Sequence, residues 1–260
     1  MMRIIIYLIV FNFSWAIGLE ALVIPQKATV ISTSGAGIGG YIDASINPAS
    51  LKYIRPHLGM SDNLWYADIS GIKSSWSFAK RVHRVFSIES IGLDDIELHI
   101  TNEVEPLGYV EAKWIAFDFS SDVDLNRIFK DTKDFSMGYN IKLNYSKLHT
   151  ERYWGYSIDV GLQKKINDKL NFGFVSKNFG REYSLSGIDR IENYVGLGIA
   201  YNANMIRNNI YFDWIYSSNR NIFKLALKTD FKYVNLAVGT SYSKNSYKDF
   251  YKIFSRQEKP

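Results

Sequence analysis

The sequence predicts an all-β fold, an antiparallel transmembrane β-barrel entered by a short N-terminal hatch segment, on three observations. The first is a two-residue period between Phe135 and Gly180. Bulky residues recur at Tyr139, Ile141, Leu143 and Tyr145, then at Trp154, Tyr156, Ile158, Val160 and Leu162, then at Leu170, Phe172 and Phe174. Asn140, Lys142, Asn144 and Ser146, and after them Gly155, Ser157, Asp159, Gly161 and Gln163, take the positions between. Such alternation marks strands, because successive side chains leave opposite faces. The second is length: strands of soluble sheets average about 5–6 residues, strands crossing an outer membrane need roughly 9–11, and these runs match the longer class. The third is that 15% of the chain is aromatic, with 18 Tyr and 16 Phe, while no stretch beyond Ile17 is long and apolar enough for a membrane helix. Only helices and closed barrels satisfy their backbone in lipid, so a membrane protein with this profile is a barrel. A large secreted β-sandwich, with the same apolar faces turned inward, is the alternative.

Taken in order, residues 1–18 read as an export signal. They carry one basic residue, an apolar run from Ile4 to Phe13, and small residues at Ser14, Ala16 and Gly18. An uncleaved single-span anchor is the other reading, against which the run is short of the roughly 20 residues a span needs. Residues 19–55 are rich in Gly, Ala and Ser with weak periodicity, and read as a hatch or plug leading into the first strand. Within them Gly35, Gly37 and Gly40 have the G-x-G-x-x-G spacing of a dinucleotide fingerprint. That fingerprint needs a parallel βαβ unit and a following helix, and Asn47-Pro48 interrupts first, so the glycines read as tight turns or close backbone packing.

Residues 56–260 read as the barrel. Strands are expected at 56–62, 66–79, 82–91, 109–120, 135–148, 152–164, 169–178, 191–203, 208–217, 221–230 and 232–243, with a further one at 247–255. The later ones keep the alternation, as in Val195, Leu197, Ile199 and Tyr201 or Ile210, Phe212, Trp214 and Tyr216. Gly138, Gly155, Gly161, Gly173, Gly196, Gly198 and Gly239 lie on these strands, where glycine weakens pairing. Two readings stand side by side: something packs closely on the wall, such as the 19–55 segment, or the glycines only permit curvature and bulges.

Little points to chemistry. The formal net charge is +5 and the pI about 9.1, which could suggest nucleic acid or anionic lipid, but Lys and Arg are spread without blocks, which reads as a solvated basic surface or lumen. Cysteine is absent, which excludes disulfides, thiolate metal sites and cysteine nucleophiles. His57, His83, His99 and His149 have no metal-ligand spacing, and there is no G-x-S-x-G elbow. Asp122 and Asp124 fall in an expected turn, where solvation explains them. A dispersed Ser/His/Asp site is a matter of geometry rather than of sequence. No catalytic residue, metal or cofactor is therefore expected. Longer connections are expected at 92–108, 121–134 and 179–190; in the first, Asp94, Asp95, Glu97, Glu103 and Glu105 have oxygen ligands for calcium but lack EF-hand spacing, and a solvated acidic loop is the plainer account. Asn140, Lys142, Asn144, Ser157, Asp159 and Gln163 occupy the polar face of the best-defined strands and are expected to line the lumen.

Two stretches carry a family resemblance. Gly35-Ala-Gly-Ile-Gly-Gly-Tyr41 followed by Asn47-Pro48-Ala49-Ser50-Leu51 resembles the glycine-rich segment and "N-P-A-G-L" turn of the PorV/PorQ family, relatives of the FadL fatty-acid channels. Ser157-Ile-Asp-Val-Gly-Leu-Gln163 with Leu170-Asn-Phe-Gly-Phe-Val-Ser-Lys-Asn-Phe-Gly180 is similar to that family's "D-x-G-L…L-G-x-x-x-x-N-x-G" hairpin. The order agrees over residues 27–243. The resemblance implies an outer-membrane barrel of about 12–14 strands, even in number, with an N-terminal hatch centred on Gly35, Gly37, Gly40, Asn47, Pro48 and Ala49. It implies service to type IX secretion, with secretion components or exported cargo as partners besides outer-membrane lipid. For the FadL-like relatives it implies a channel holding a hydrophobic ligand. Ser50 replaces the family's glycine, and the family would be expected to continue through more strands past Pro260.

Overall fold

The computed structural model describes residues 27–245, apart from 66–67, 99–107, 126–133, 149–150, 185–186, 190–192, 204–207, 218–219 and 232–233. The alternating segments become one antiparallel sheet: β1 Leu58–Leu64, β2 Ser70–Ala79, β3 His83–Leu98, β4 Gly108–Val123, β5 Phe135–Leu148, β6 Glu151–Lys165, β7 Leu170–Ser184, β8 Gly187–Asp189, β9 Tyr194–Ala203, β10 Asn208–Ser217, β11 Arg220–Asp230 and β12 Asn235–Asn245. Each strand pairs with the next, except that β8 is a short flap on β7 and β9 takes its place beside β7. The edges β1 and β12 do not pair with each other among the described residues, so the wall curves without closing there. The expected strand at 247–255 and the expected signal at 1–18 lie outside the described residues.

Several strands are longer than their alternation suggests. β3 continues to Leu98, β4 to Val123 and β7 to Ser184. Asp94 and Asp95 are therefore not in a loop but at a register shift of the β3–β4 ladder, between Leu93 and Ile96. Asp122 likewise belongs to β4, where one carboxylate oxygen accepts the His83 N–H at 2.7 Å. Hydrogen bonding carries the ladder past the point where both faces become polar and the hydrophobic pattern fades.

The burial of the two faces is inverted relative to a soluble sheet. On β6, Trp154, Tyr156, Ile158 and Leu162 are exposed, Trp154 by 63%, while Ser157, Asp159 and Gln163 on the other face are at most 2% exposed. β5 exposes Ile141 and Leu143 and buries Asn140 and Asn144; β10 exposes Ile210, Phe212 and Trp214 and buries Tyr211, Asp213 and Ile215.

What covers the inner face is the chain's own N-terminal segment. It contains a short helix, Ala28–Ser32, and a 3-10 turn, Pro48–Tyr53, capped by the Asn47 side chain, which accepts the Ala49 N–H at 3.0 Å. Between them the backbone crosses the wall in reverse strand order. Thr33 lies on Gly239 of β12, Gly35 beside Lys224 of β11, and Ile38 and Gly39 on Gly198 of β9 and Gly173 of β7. Asn47 then meets Gly161 of β6 and Pro48 meets Gly138 of β5, while Ala44 and Leu51 pack with Val85 of β3. Six of the seven glycines singled out in the sequence thus face this segment; of the seven, Gly155 meets a neighbouring strand instead, at the Arg181 carbonyl. Close packing, rather than curvature alone, accounts for the six.

A side chain at Gly138 would run into the backbone of Pro48 and Ala49, whereas one at Gly108 would meet nothing within 4 Å. Gly138→Val is expected to lower the unfolding midpoint by an amount typical of overpacking, roughly 1–3 kcal/mol. Gly108→Ala is expected to leave the midpoint unchanged in the same denaturation series, and equal behaviour of the two would contradict this packing.

Candidate functional site

The inner face and the segment upon it make the candidate site. Asp213, in the middle of β10 between the outward Phe212 and Trp214, turns its carboxylate toward the bend at Gly37. Its Oδ2 accepts the Gly37 N–H at 2.6 Å, and Oδ1 and Oδ2 share the Ile38 N–H at 3.2 and 3.1 Å. Gly37 has φ +136°, a region that side-chain-bearing residues rarely adopt, which is why glycine sits there. The carbonyls of the same bend are taken by amides: Gln163 Nε2 donates to Ile38 O at 2.9 Å and to Gly40 O at 2.7 Å, and Asn47 Nδ2 donates to Ile38 O at 2.8 Å. Lys177 Nζ donates to Ser45 O at 2.5 Å, and Lys52 Nζ to Phe135 O at 2.9 Å. Buried backbone groups need partners, and here polar side chains of the wall and of the segment itself supply them.

Behind this contact runs a chain of buried charges. Lys142 on β5 lies 2.9 Å from Asp159 Oδ2 on β6, and Asp159 Oδ1 accepts the Asn178 N–H at 2.8 Å. That second bond holds a bulge: the β6–β7 register shifts between Ile158 and Val160, and Asn178 has φ +62°. An inward carboxylate at the bulge satisfies the backbone N–H that the ladder cannot. Lys73 on β2 lies 2.5 Å from Glu89 on β3 and 3.7 Å from Asp118 on β4. Within the segment, Lys27 Nζ donates to Asp43 Oδ2 at 2.8 Å and the Ser45 N–H donates to Oδ1 at 2.8 Å. Burial pushes the Asp43 carboxyl upward, but the Lys27 charge and these hydrogen bonds outweigh it and hold it below the usual carboxylate range.

Each residue singled out in the sequence has a definite place. Gly35 has φ +69°, and its carbonyl accepts from Lys224 Nζ at 3.5 Å; Gly37 is held by Asp213; Gly40 packs on the Tyr211 ring. Asn47, Pro48 and Ala49 form the turn on β5 and β6. The fingerprint spacing thus serves bends against an antiparallel wall, and no helix long enough for a dinucleotide site follows it among the described residues. Lys142, Asp159 and Gln163 belong to the network just described, and Asn140 reaches Asp159 Oδ2 at 3.5 Å. Asn144 and Ser157 are buried on the same face, with the Asn144 amide and the Ser157 hydroxyl making no hydrogen bond. Asp213, Lys177 and Lys224 were missed as site residues, although an inward charge at mid-strand in the alternation of β10 is a signal that finds Asp213.

No protein-family model and no curated protein matches the chain. Among solved structures, the crystal structure of the Ralstonia pickettii toluene transporter TbuX is similar over 84% of this chain and 97% of that one, at 11% identity and a TM-score of 0.36. That degree of likeness carries no argument about either fold or activity.

Asp213→Ala removes the acceptor of two buried N–H groups and is expected to destabilise docking of the segment by about 1–3 kcal/mol, read as faster proteolytic cleavage near Gly37 with the wall still protected. Asp213→Asn, which keeps one oxygen, should fall between. The Asp43 contribution has the sign of a depressed carboxylate: it is complete above the unfolded value of about 3.9 and fades as the pH falls through the lower folded value. Protease sensitivity around Lys27 should therefore rise on acidification below pH of about 4, and Lys27→Met should weaken that dependence.

Proposed function

We propose that the chain is a non-enzymatic outer-membrane β-barrel protein of PorV/PorQ type, acting in type IX protein secretion or in attaching exported proteins to the cell surface. The observation that carries the membrane reading is the inverted burial of the wall. A soluble sandwich would turn Trp154, Tyr156, Ile158 and Leu162 inward, yet the inward positions hold Ser157, Asp159 and Gln163 beneath a polar-lined segment of the same chain. From Trp154 to Leu162 the outward residues span eight steps of roughly 3.4 Å, about 27 Å along the strand and roughly 20 Å of height at a tilt of about 40°, most of the apolar band of about 25 Å on such barrels. The export signal expected at 1–18 fits the same address.

Among the described residues the segment packs closely on the inner face, which favours a role for the outside of the molecule. The space enclosed between Asp43, Leu51, Lys73, Asp118 and Asn140 is about 20 Å³, room for about one water. Small-molecule sites occupy roughly 300–1,000 Å³ and are mostly apolar. The wall's partners in this reading are membrane lipid outside and secretion components or cargo at the strand ends. The bends that resemble the family's hatch motif are those that dock on Asp213, Gly161 and Gly138.

The test begins with the full-length protein in its own cells. An outer-membrane band whose gel mobility changes on boiling is expected, followed by loss of surface-attached proteins when the gene is deleted. A soluble periplasmic product would sink the barrel reading. Unchanged surface proteins together with lost uptake of hydrophobic solutes would move the assignment to the FadL-like channel.

A further inference from the structure

Resting on the barrel reading, we propose that the outer surface of β4–β7 carries a binding site for phosphate-bearing anionic lipid, in the leaflet at the β5–β6 hairpin end. Cross-strand register builds it in two rows on the outward face. The lower row is aromatic: Tyr145 of β5 pairs with Trp154 of β6, which pairs with Tyr183 of β7. The Tyr145 and Trp154 ring centroids are 4.6 Å apart, and Trp154 and Tyr183 are exposed. The upper row is cationic: Lys113 of β4 pairs with Lys147 of β5, which pairs with Arg152 of β6. Gly92 of β3 stands opposite Lys113 and contributes no side chain, and Arg181 of β7, opposite Tyr156, lies two residues on the membrane side of the aromatic row and so outside the cationic row.

Like charges on directly opposed positions repel, so three cations side by side weaken the sheet unless an anion lies across them. One acid is present: Glu111 accepts from Lys147 Nζ at 2.7 Å. Among the described residues Lys113, Arg152 and Arg181 have no ion pair, and Lys113, Arg152 and Arg181 are exposed. The other end of the wall differs. There Lys165 lies 2.6 Å from Asp168, Lys228 lies 2.9 Å from Asp230, and Lys164 sits over the Phe135 ring. Lys165 and Lys228 follow the inward parity, so on the outward face the contrast rests on Lys164, held over the Phe135 ring.

Depth selects a lipid phosphate as the occupant. Aromatic belts lie at headgroup level, and the cationic row is two residues further out, roughly 7 Å along the strand. The polar layer on each side of the hydrocarbon is about 5–7 Å thick, so the guanidinium and ammonium groups reach the phosphates while the rings below contact the upper acyl chain. Arg152 supplies a planar donor fork, which suits phosphate oxygens, and Lys113 supplies a point charge.

The experiment uses the full chain purified in detergent, with the heat-dependent gel shift recorded first for every variant. Native mass spectrometry then compares dioleoylphosphatidylglycerol with dioleoylphosphatidylcholine at matched concentrations. The wild-type protein is expected to retain the anionic lipid with a preference of roughly tenfold or more, given three cations near the surface. Lys113→Gln combined with Arg152→Gln should reduce that preference severalfold, Lys113→Arg should preserve it, and Lys164→Gln with Lys169→Gln at the other end should leave it unchanged. A heat-shifted wild-type barrel with no preference for the anionic lipid, or a preference untouched by the Lys113 and Arg152 changes, overturns the lipid site alone. A chain without the heat shift overturns the barrel reading and the site with it.

Discussion

The structure depends on one constraint: a wall that is apolar outside and polar inside has to satisfy its inner face without a hydrophobic core. The N-terminal segment does this with its backbone. The Gly37 and Ile38 N–H groups go to Asp213, and the Ile38 and Gly40 carbonyls to Gln163 and Asn47. Hydrogen bonds of this kind contribute modestly each, but leaving any of these buried groups unpaired would cost about 1–3 kcal/mol. The segment and the wall therefore specify each other. Only a backbone can offer donors and acceptors at so short a spacing, and only glycine on the wall lets a backbone come that close. The small apolar clusters around Ile38, Ala36 and Leu51 fill the remaining gaps.

The buried charges extend the same logic sideways. Lys73, Glu89 and Asp118 tie β2, β3 and β4, and Lys142 with Asp159 ties β5 to β6 and, through the Asn178 N–H, to the bulge of β7. Isolated buried ion pairs are weak stabilisers, because desolvation opposes the attraction. Their value here is positional. A two-residue slip of any of these strands would keep the alternation but part each charge from its partner, so each pair fixes a register that the repeated alternation of bulky residues alone leaves degenerate.

How much of this the sequence revealed follows from which links are local. The alternation in β5, β6, β7 and β9 to β11 needs only neighbouring residues, and it marked the strands and the face on which Asn140, Asp159 and Gln163 lie. Strand ends were hidden at Leu98, Val123 and Ser184, where the apolar face ends before the hydrogen-bond ladder does. The inward glycines announced a close approach but not what approaches, since Gly239 meets Thr33 and Gly173 meets Ile38 across most of the chain. Asp213 was legible as an inward charge, and so by the same parity was Lys177, which alternates with Gly173 and Val175 ahead of the bulge at Asn178; it is Phe179 and the residues after it whose parity the bulge shifts.

Strand length also divides the wall. β3 to β7 have 14 to 16 residues, while β9 to β12 have 10 or 11. In the proposed barrel a span of the hydrocarbon uses roughly 9–11 residues, so the shorter strands would be consumed by it and the longer ones would stand beyond it. The excess cannot be apolar, for it faces water or headgroups, and it is there that the outward side chains change from Ile141 and Leu143 through Tyr145 to Lys147. The same strands carry the Lys142–Asp159 pair at their base. That charge-locked register stiffens β5 and β6, and the segment is seated on both halves of the wall: Thr33 on β12, Gly35 beside β11 and Ile38 on β9 and β7, then Asn47 on β6 and Pro48 on β5.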